Sequence, residues 1–193
     1  MQKLSDEDLY TLEAYDRHRD EFRARVMDHK QHRRLPVGDR VILLFEDRLT
    51  IQYQIQEMLR IQNIFTGAGI FEALESCNRL IPDGSNWNAT MVIEYADAED
   101  RRLALEQLVG IEDLIWAGVE GAERVFAVAD ESPNRVTVTK ALPAYLLRFD
   151  LPAAAISALK AGATLSFGVS HEHYDFEVSL SEAMRESLIA DLA

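Results

Sequence analysis

Cysteine is almost absent from this chain: Cys77 is the only one in 193 residues. One thiol excludes an internal disulfide, a CxxC pair, a structural zinc finger and an iron–sulfur cluster held by the cysteines of one chain. It fits a reducing compartment, so a cytoplasmic location is expected. No apolar run reaches the roughly 20 residues of a membrane span. The opening MQKLSDEDLY lacks the charged-then-apolar order of a secretory signal, so no membrane partner is expected. Positive charge is also scarce, with 20 Lys and Arg against 33 Asp and Glu and a net charge of −13. The imbalance is uneven: residues 1–50 are near neutral, and the excess of carboxylates lies after them. That acidic portion would repel a phosphate backbone, which argues against nucleic acid as a partner. No P-loop, GxGxxG or GxSxG occurs, so neither nucleotide binding nor a nucleophile elbow has support. No ExxH pair occurs either, which removes a di-iron carboxylate bundle.

What is present reads as alternating helices and strands. Ser5 to Asp8 (SDED) resembles a helix cap. Leu9, Leu12, Tyr15, Phe22 and Val26 then recur at helical spacing, which predicts a helix running to Leu35-Pro36. PVGDR is a turn, and Val41 to Phe45 is a continuous apolar run expected to be a buried strand. Helices are predicted over 48–64, capped by Asp47, and over 69–80, with LIPDGSNWN as a loop after them. ATMVIEY predicts a strand, DAEDRRLALEQLVG a helix, and LIWAGVEGAERVFAVAD a hairpin turning near Glu120-Gly121. ESPNR predicts a turn, Tyr145 to Phe149 a strand, and DLPAAAISALKAG a helix. TLSFGVS and FEVSL form a second hairpin around HEHYD, and SEAMRESLIADL closes as a helix. The expected class is α+β: N-terminal helices packed on a mostly antiparallel sheet with helices on one face. One domain is expected over 1–193, mainly helical to about residue 82 and built on the sheet from 88 onward.

The stretch FEDRLTIQYQIQEMLRIQNIF, residues 45–65, concentrates the polar interest. On a helical wheel at about 100° per residue its large apolar residues spread almost all round. A helix without a clean polar face is enclosed on most sides, so some of its polar groups are enclosed with it. Glu46, Thr50, Tyr53, Glu57 and Arg60 make one grouping, and Gln52, Gln56 and Asn63 a second line. Enclosed amides and carboxylates need hydrogen-bond partners. Two readings follow. The groups form a structural polar network, or they converge on a pocket for a small ligand, a metal or a partner's side chain. In the second reading Glu46 or Glu57 would serve as acid, base or ligand, and Arg48 or Arg60 would hold an anion.

LLFEDRLTIQYQIQEMLR, LIPDGSN with ATMVIEY, and GIEDLIW together resemble a bacterial family known as domain of unknown function number 3501. The likeness runs over nearly the whole chain. Glu46, Arg48, Gln52, Gln56, Glu57, Arg60 and Glu94 match the family's recurring pattern. The resemblance implies a gene neighbourhood of rubrerythrin-like proteins and iron–sulfur oxidoreductases. It therefore implies a redox protein partner, without implying catalytic residues, a cofactor or an oligomeric state.

Two histidine groups complete the candidates. His171 and His173 in SHEHYD could ligate zinc or iron together with Glu172, Asp175 or Glu177, or could decorate a solvated hairpin tip. His29 and His32, with Asp28, could share a metal, or could belong to a solvated charged face with Arg23, Arg25, Lys30, Arg33 and Arg34. The leading expectation is a binding or accessory protein acting with redox partners. The alternative is an enzyme or ligand-binding protein using the 48–64 helix.

Overall fold

A computed structural model describes residues 2–130 and 144–193. The turn expected at ESPNR lies outside them. The α+β class holds: among the described residues six α-helices accompany two antiparallel sheets.

The strands are β1 (Arg34–Val37), β2 (Val41–Glu46), β3 (Asn86–Ile93), β4 (Ile115–Val119), β5 (Val125–Phe126), β6 (Val128–Ala129), β7 (Ala144–Asp150), β8 (Leu165–His171) and β9 (Tyr174–Ser179). They form a five-stranded sheet in the order β1-β2-β3-β7-β6 and a four-stranded sheet in the order β5-β4-β8-β9. The helices are α1 (Leu12–Lys30), α2 (Arg48–Ile61), α3 (Gly67–Asn78), α4 (Ala98–Gln107), α5 (Ala153–Lys160) and α6 (Glu182–Ile189).

Alternation along the strands sends one set of side chains between the sheets. Leu43, Phe45, Trp87, Met91 and Phe149 of the first sheet share a core with Ile115, Ala117 and Phe167 of the second, and α5 and α6 add Leu159 and Leu188. Phe167 is the hub, with ring centroids 5.0 Å from Phe45, 5.4 Å from Phe149 and 5.8 Å from Trp87. The outward residues of the first sheet are covered too, because α2 and α3 build a second apolar layer from Ile51, Ile55, Leu59, Leu74 and Cys77, with Leu146 of β7 against it. A strand buried on both faces reads as an unbroken apolar run. That is why VILLF lacks alternation. Outside α2, Tyr15, Phe22 and Val26 of α1 pack against Leu49 and Tyr53.

Three boundaries differ from the sequence expectation. The first long helix is capped by Thr11, whose hydroxyl accepts from the Ala14 amide at 3.2 Å, while Ser5 caps only a 3-10 turn over Asp6–Asp8. That helix stops at Lys30, and Leu35-Pro36 sit in edge strand β1. An edge position tolerates a proline that cannot donate to the ladder. Strand β3 begins at Asn86, inside the segment expected to be loop, since Asn86 and Asn88 pair with Asp150 and Arg148 of β7.

Two close approaches tie the layers. Gly38, at φ +76, turns β1 into β2, and a Cβ there would meet the Tyr174 hydroxyl at 2.5 Å. That hydroxyl accepts from the Arg40 amide at 2.9 Å and donates to the Val37 carbonyl at 2.7 Å. On the second sheet Trp116 is buried on the face away from the shared core, opposite Gly168, where a Cβ would lie 2.2 Å from the indole. Arg124 stacks over that ring at 3.6 Å. No helix among the described residues is long and apolar enough to cross a membrane.

Candidate functional site

Helix α2 is enclosed up to its last residue: every position from Arg48 to Arg60 is buried or half-buried, and Ile61 is exposed. Its first turn is fixed by a reciprocal cap. Asp47 Oδ1 accepts from the Thr50 amide at 2.9 Å, and Thr50 Oγ1 accepts from the Asp47 amide at 2.9 Å. Asn63, at φ +53, ends the segment in the left-handed conformation that asparagine tolerates.

The residues proposed as one cluster separate into three groups. Glu46, buried at the end of β2, accepts from Thr50 Oγ1 at 2.7 Å and Thr90 Oγ1 at 3.1 Å, so it joins α2 to the sheet. Two turns further along α2, Glu57 faces α1. Its carboxylate accepts from Arg19 Nε at 2.7 Å, Arg19 Nη2 at 2.9 Å, the Tyr15 hydroxyl at 2.9 Å and Arg60 Nη2 at 3.2 Å. These hydrogen bonds, the fork of Arg19 first, hold its carboxyl down at about 2 against the penalty of burial. The third group faces the segment before α1. Arg48 pairs with Asp8 at 2.6 Å, and Gln52 donates to the Asp8 carbonyl at 2.6 Å. Gln56, with no exposed surface, accepts from the Tyr10 amide at 2.6 Å and donates to the Tyr10 carbonyl at 3.3 Å. Tyr53 packs on Phe22 with centroids 6.0 Å apart, and Lys30 lies over its ring at 5.7 Å. Glu94 stands apart and exposed, 3.8 Å from Arg34.

Glu57 carries a pH signature. Its folded pKa lies near 2 against an ordinary 4.5. Its contribution to stability is therefore complete above pH 4.5 and is lost as pH falls toward 2. Glu57→Gln should lower stability by about 1–2 kcal/mol at neutral pH, since it replaces charge-assisted bonds with neutral ones. Urea midpoints at pH 7 and pH 3 check this, and the mutant and parent midpoints should converge at the lower pH.

A second polar centre lies where α1, β2, the cap of α2 and the segment after α6 meet. Arg33, in the basic run expected to be solvated, is 2% exposed. Its guanidinium donates to the carbonyls of Phe45 at 3.2 Å, Glu46 at 3.1 Å and Ser187 at 3.1 Å, and it pairs with Asp191. Asp47 Oδ2 lies 3.5 Å from Arg33 Nε and 2.5 Å from His29 Nε2. Burial opposes ionisation of Asp47, but Arg33, the Thr50 amide and His29 together hold its pKa below the ordinary value. Sequence reasoning placed Arg33 and His29 on a solvated face. The sequence held no local signal for this, because the end of α1 at Lys30 is visible only in the structure.

His171 is buried and accepts from the His173 amide at 3.1 Å, while His173 lies 3.5 Å from Glu172. His32 is exposed. Among the described residues, no three His, Cys, Asp or Glu side chains converge as a metal would require.

The fold and site together define an α+β protein whose central helix turns its polar groups to partners within its own chain. It belongs to the family described as Protein of unknown function (DUF3501), matched over residues 3–192. It is similar to a novel protein of unknown function from Burkholderia pseudomallei, with 44% identity, all of both chains covered and a TM-score of 0.92. No curated protein matches this chain.

Proposed function

We propose that this chain is a binding or accessory protein acting with redox partners, of the rubrerythrin-like and iron–sulfur kinds implied by the family resemblance. The observation that carries this reading is an apolar corner where α2 gives way to α3. Ile61 is 67%, Phe65 76% and Phe71 64% exposed within eleven consecutive residues. Three large apolar side chains left in water on one short segment support a docking role. The engagement of Glu46, Gln52, Gln56, Glu57 and Arg60 within the chain supports the same reading, because groups already bonded to one another are poor acids, bases or ligands.

The test is sedimentation velocity of the purified chain mixed with a rubrerythrin-like protein and an iron–sulfur oxidoreductase, the kinds that the family resemblance implies. A heavier boundary with one of them is expected, weakened about tenfold or more by Phe65→Ser. No shift with either protein overturns the reading.

The alternative, a ligand-binding or enzymatic role for the 48–64 helix, draws on one feature. His29 is held through Nε2 by Asp47, the cap of that helix, and its Nδ1 has no partner among the described residues. An oriented, half-buried imidazole is acid–base equipment.

A further inference from the structure

A groove of about 410 Å³ runs between the segment before α1 and the outer side of α3. Its floor is apolar: Leu4 and Leu74 are buried there, Ile70 is half-buried, and Phe71 rises exposed along it. At Gly67, in the first turn of α3, an added Cβ would meet nothing within 4 Å, so bare backbone opens one end. The lining itself carries only negative charge. Asp6 and Glu75 line the groove, and none of its described lining residues is Lys or Arg. Two cations stand beside it: Lys3 donates to the carbonyls of Asn78 at 2.7 Å and Ile81 at 2.8 Å, and Arg79 is paired with Asp130 at 2.8 Å, so the two lining carboxylates still face one unpaired positive charge.

Building on the reading of this chain as a binding protein, we propose that the groove receives a partner's protein segment that carries a bulky apolar side chain flanked by Lys or Arg. An apolar floor takes the hydrophobic anchor, and rim carboxylates favour cations on either side of it. Charge complementarity selects this occupant over the alternatives. An acidic segment would be repelled by Asp6 and Glu75. A second copy of a chain with net charge −13 would set one carboxylate rim against another. The basic flanks also add rate, because an acidic surface steers a cationic segment toward encounter.

Two fluorescein-labelled amphipathic peptides of equal length test this, one combining leucine with lysine and the other leucine with glutamate. Fluorescence anisotropy should show binding of the lysine peptide, weakening with added salt, and little binding of the glutamate peptide. Phe71→Ser should weaken the lysine peptide about tenfold. The pair Asp6→Asn and Glu75→Gln should weaken it similarly. An equal loss of charge on the exposed face of α1, Asp20→Asn with Glu21→Gln, should leave it unchanged. All these positions are exposed, and coincident thermal melts will show that the variants remain folded.

The proposal is overturned if the lysine peptide does not bind, if the glutamate peptide binds as well, or if the α1 control weakens binding as much as the groove variants. It is also overturned if the chain self-associates through the groove, seen as a dimer that Phe71→Ser dissolves. The sedimentation experiment with the redox proteins separates this proposal from the broader one. A partner that still co-sediments with the Phe71→Ser chain removes the groove and leaves the binding role. Selective peptide binding without any co-sedimenting redox protein does the reverse.

Discussion

Replacing Arg33 with alanine should destabilise the protein by about 3–5 kcal/mol, the range for breaking a buried charge pair by removing one partner. Against a total stability of about 5–15 kcal/mol this is a severe loss. The reason is the number of groups left stranded. The guanidinium reaches three carbonyls on two separate parts of the chain, those of Phe45, Glu46 and Ser187. It also stands between two buried carboxylates, Asp47 and Asp191. Without it, those carboxylates face each other with only His29 nearby. Arg33→Lys keeps the charge but not the planar fork, and should recover only part of the loss. Urea denaturation midpoints of the three proteins measure the effect. An Arg33→Ala midpoint within error of the parent would refute the claim that this residue joins α6 to the sheet.

The same centre has a proton dependence opposite in sign to that of Glu57. Burial pushes the Asp191 carboxyl up to about 6 from 3.8; Arg33 opposes the rise and the Asp47 charge adds to it. Between those values the folded chain keeps a proton that the unfolded chain has released. The contribution of Asp191 is therefore complete below pH 3.8 and is lost as pH rises through 6. Asp191→Asn should remove that decline from the stability profile while leaving the acid limb due to Glu57 in place.

The second large effect is expected at Gln56. Gln56→Leu preserves size but strips both bonds from Tyr10, leaving an amide and a carbonyl without their partner. Each such group costs about 1–3 kcal/mol when water cannot reach it. Tyr10 is 39% exposed, so water offsets part of the loss, and about 2 kcal/mol is the expected total. The change should also be local. The Tyr10 amide should lose hydrogen-exchange protection well before the amides of β2 and β3. Uniform loss of protection across the chain would mean that the glutamine supports the fold generally and does not pin this one segment.

The fold was legible wherever one local rule acted alone. Asp47 stands before an uninterrupted run of helix formers, and α2 begins where that pattern says. The VILLF run reads as a doubly covered strand, and it is one. Legibility failed where distant chain decided the outcome. Leu35 and Pro36 carry on a helical-looking basic segment, but antiparallel pairing with Leu43 and Ile42 claims them as strand. Asn86 and Asn88 have the composition of a turn, and only their neighbours on β7 make them strand residues.

The polar site follows the same division. Enclosure of α2 could be read from its missing polar face, and the Glu57–Arg60 contact from their spacing of three. The partners of Gln56, Glu46 and Arg33 could not be read. They sit 46, 44 and 158 positions away in the chain, at Tyr10, Thr90 and Asp191. Helical periodicity carries no information about such separations.

The two tryptophans occupy opposite sides of the second sheet. Trp87 touches the aromatic hub at Phe167, and Trp116, also buried, lies on the other face beneath the Arg124 guanidinium. Intrinsic fluorescence therefore combines two independent reporters. A Trp116→Phe protein would light up only the sandwich interior, and a Trp87→Phe protein only the pocket under Arg124. Stopped-flow emission from the pair would time interior collapse separately from closure of the arginine lid.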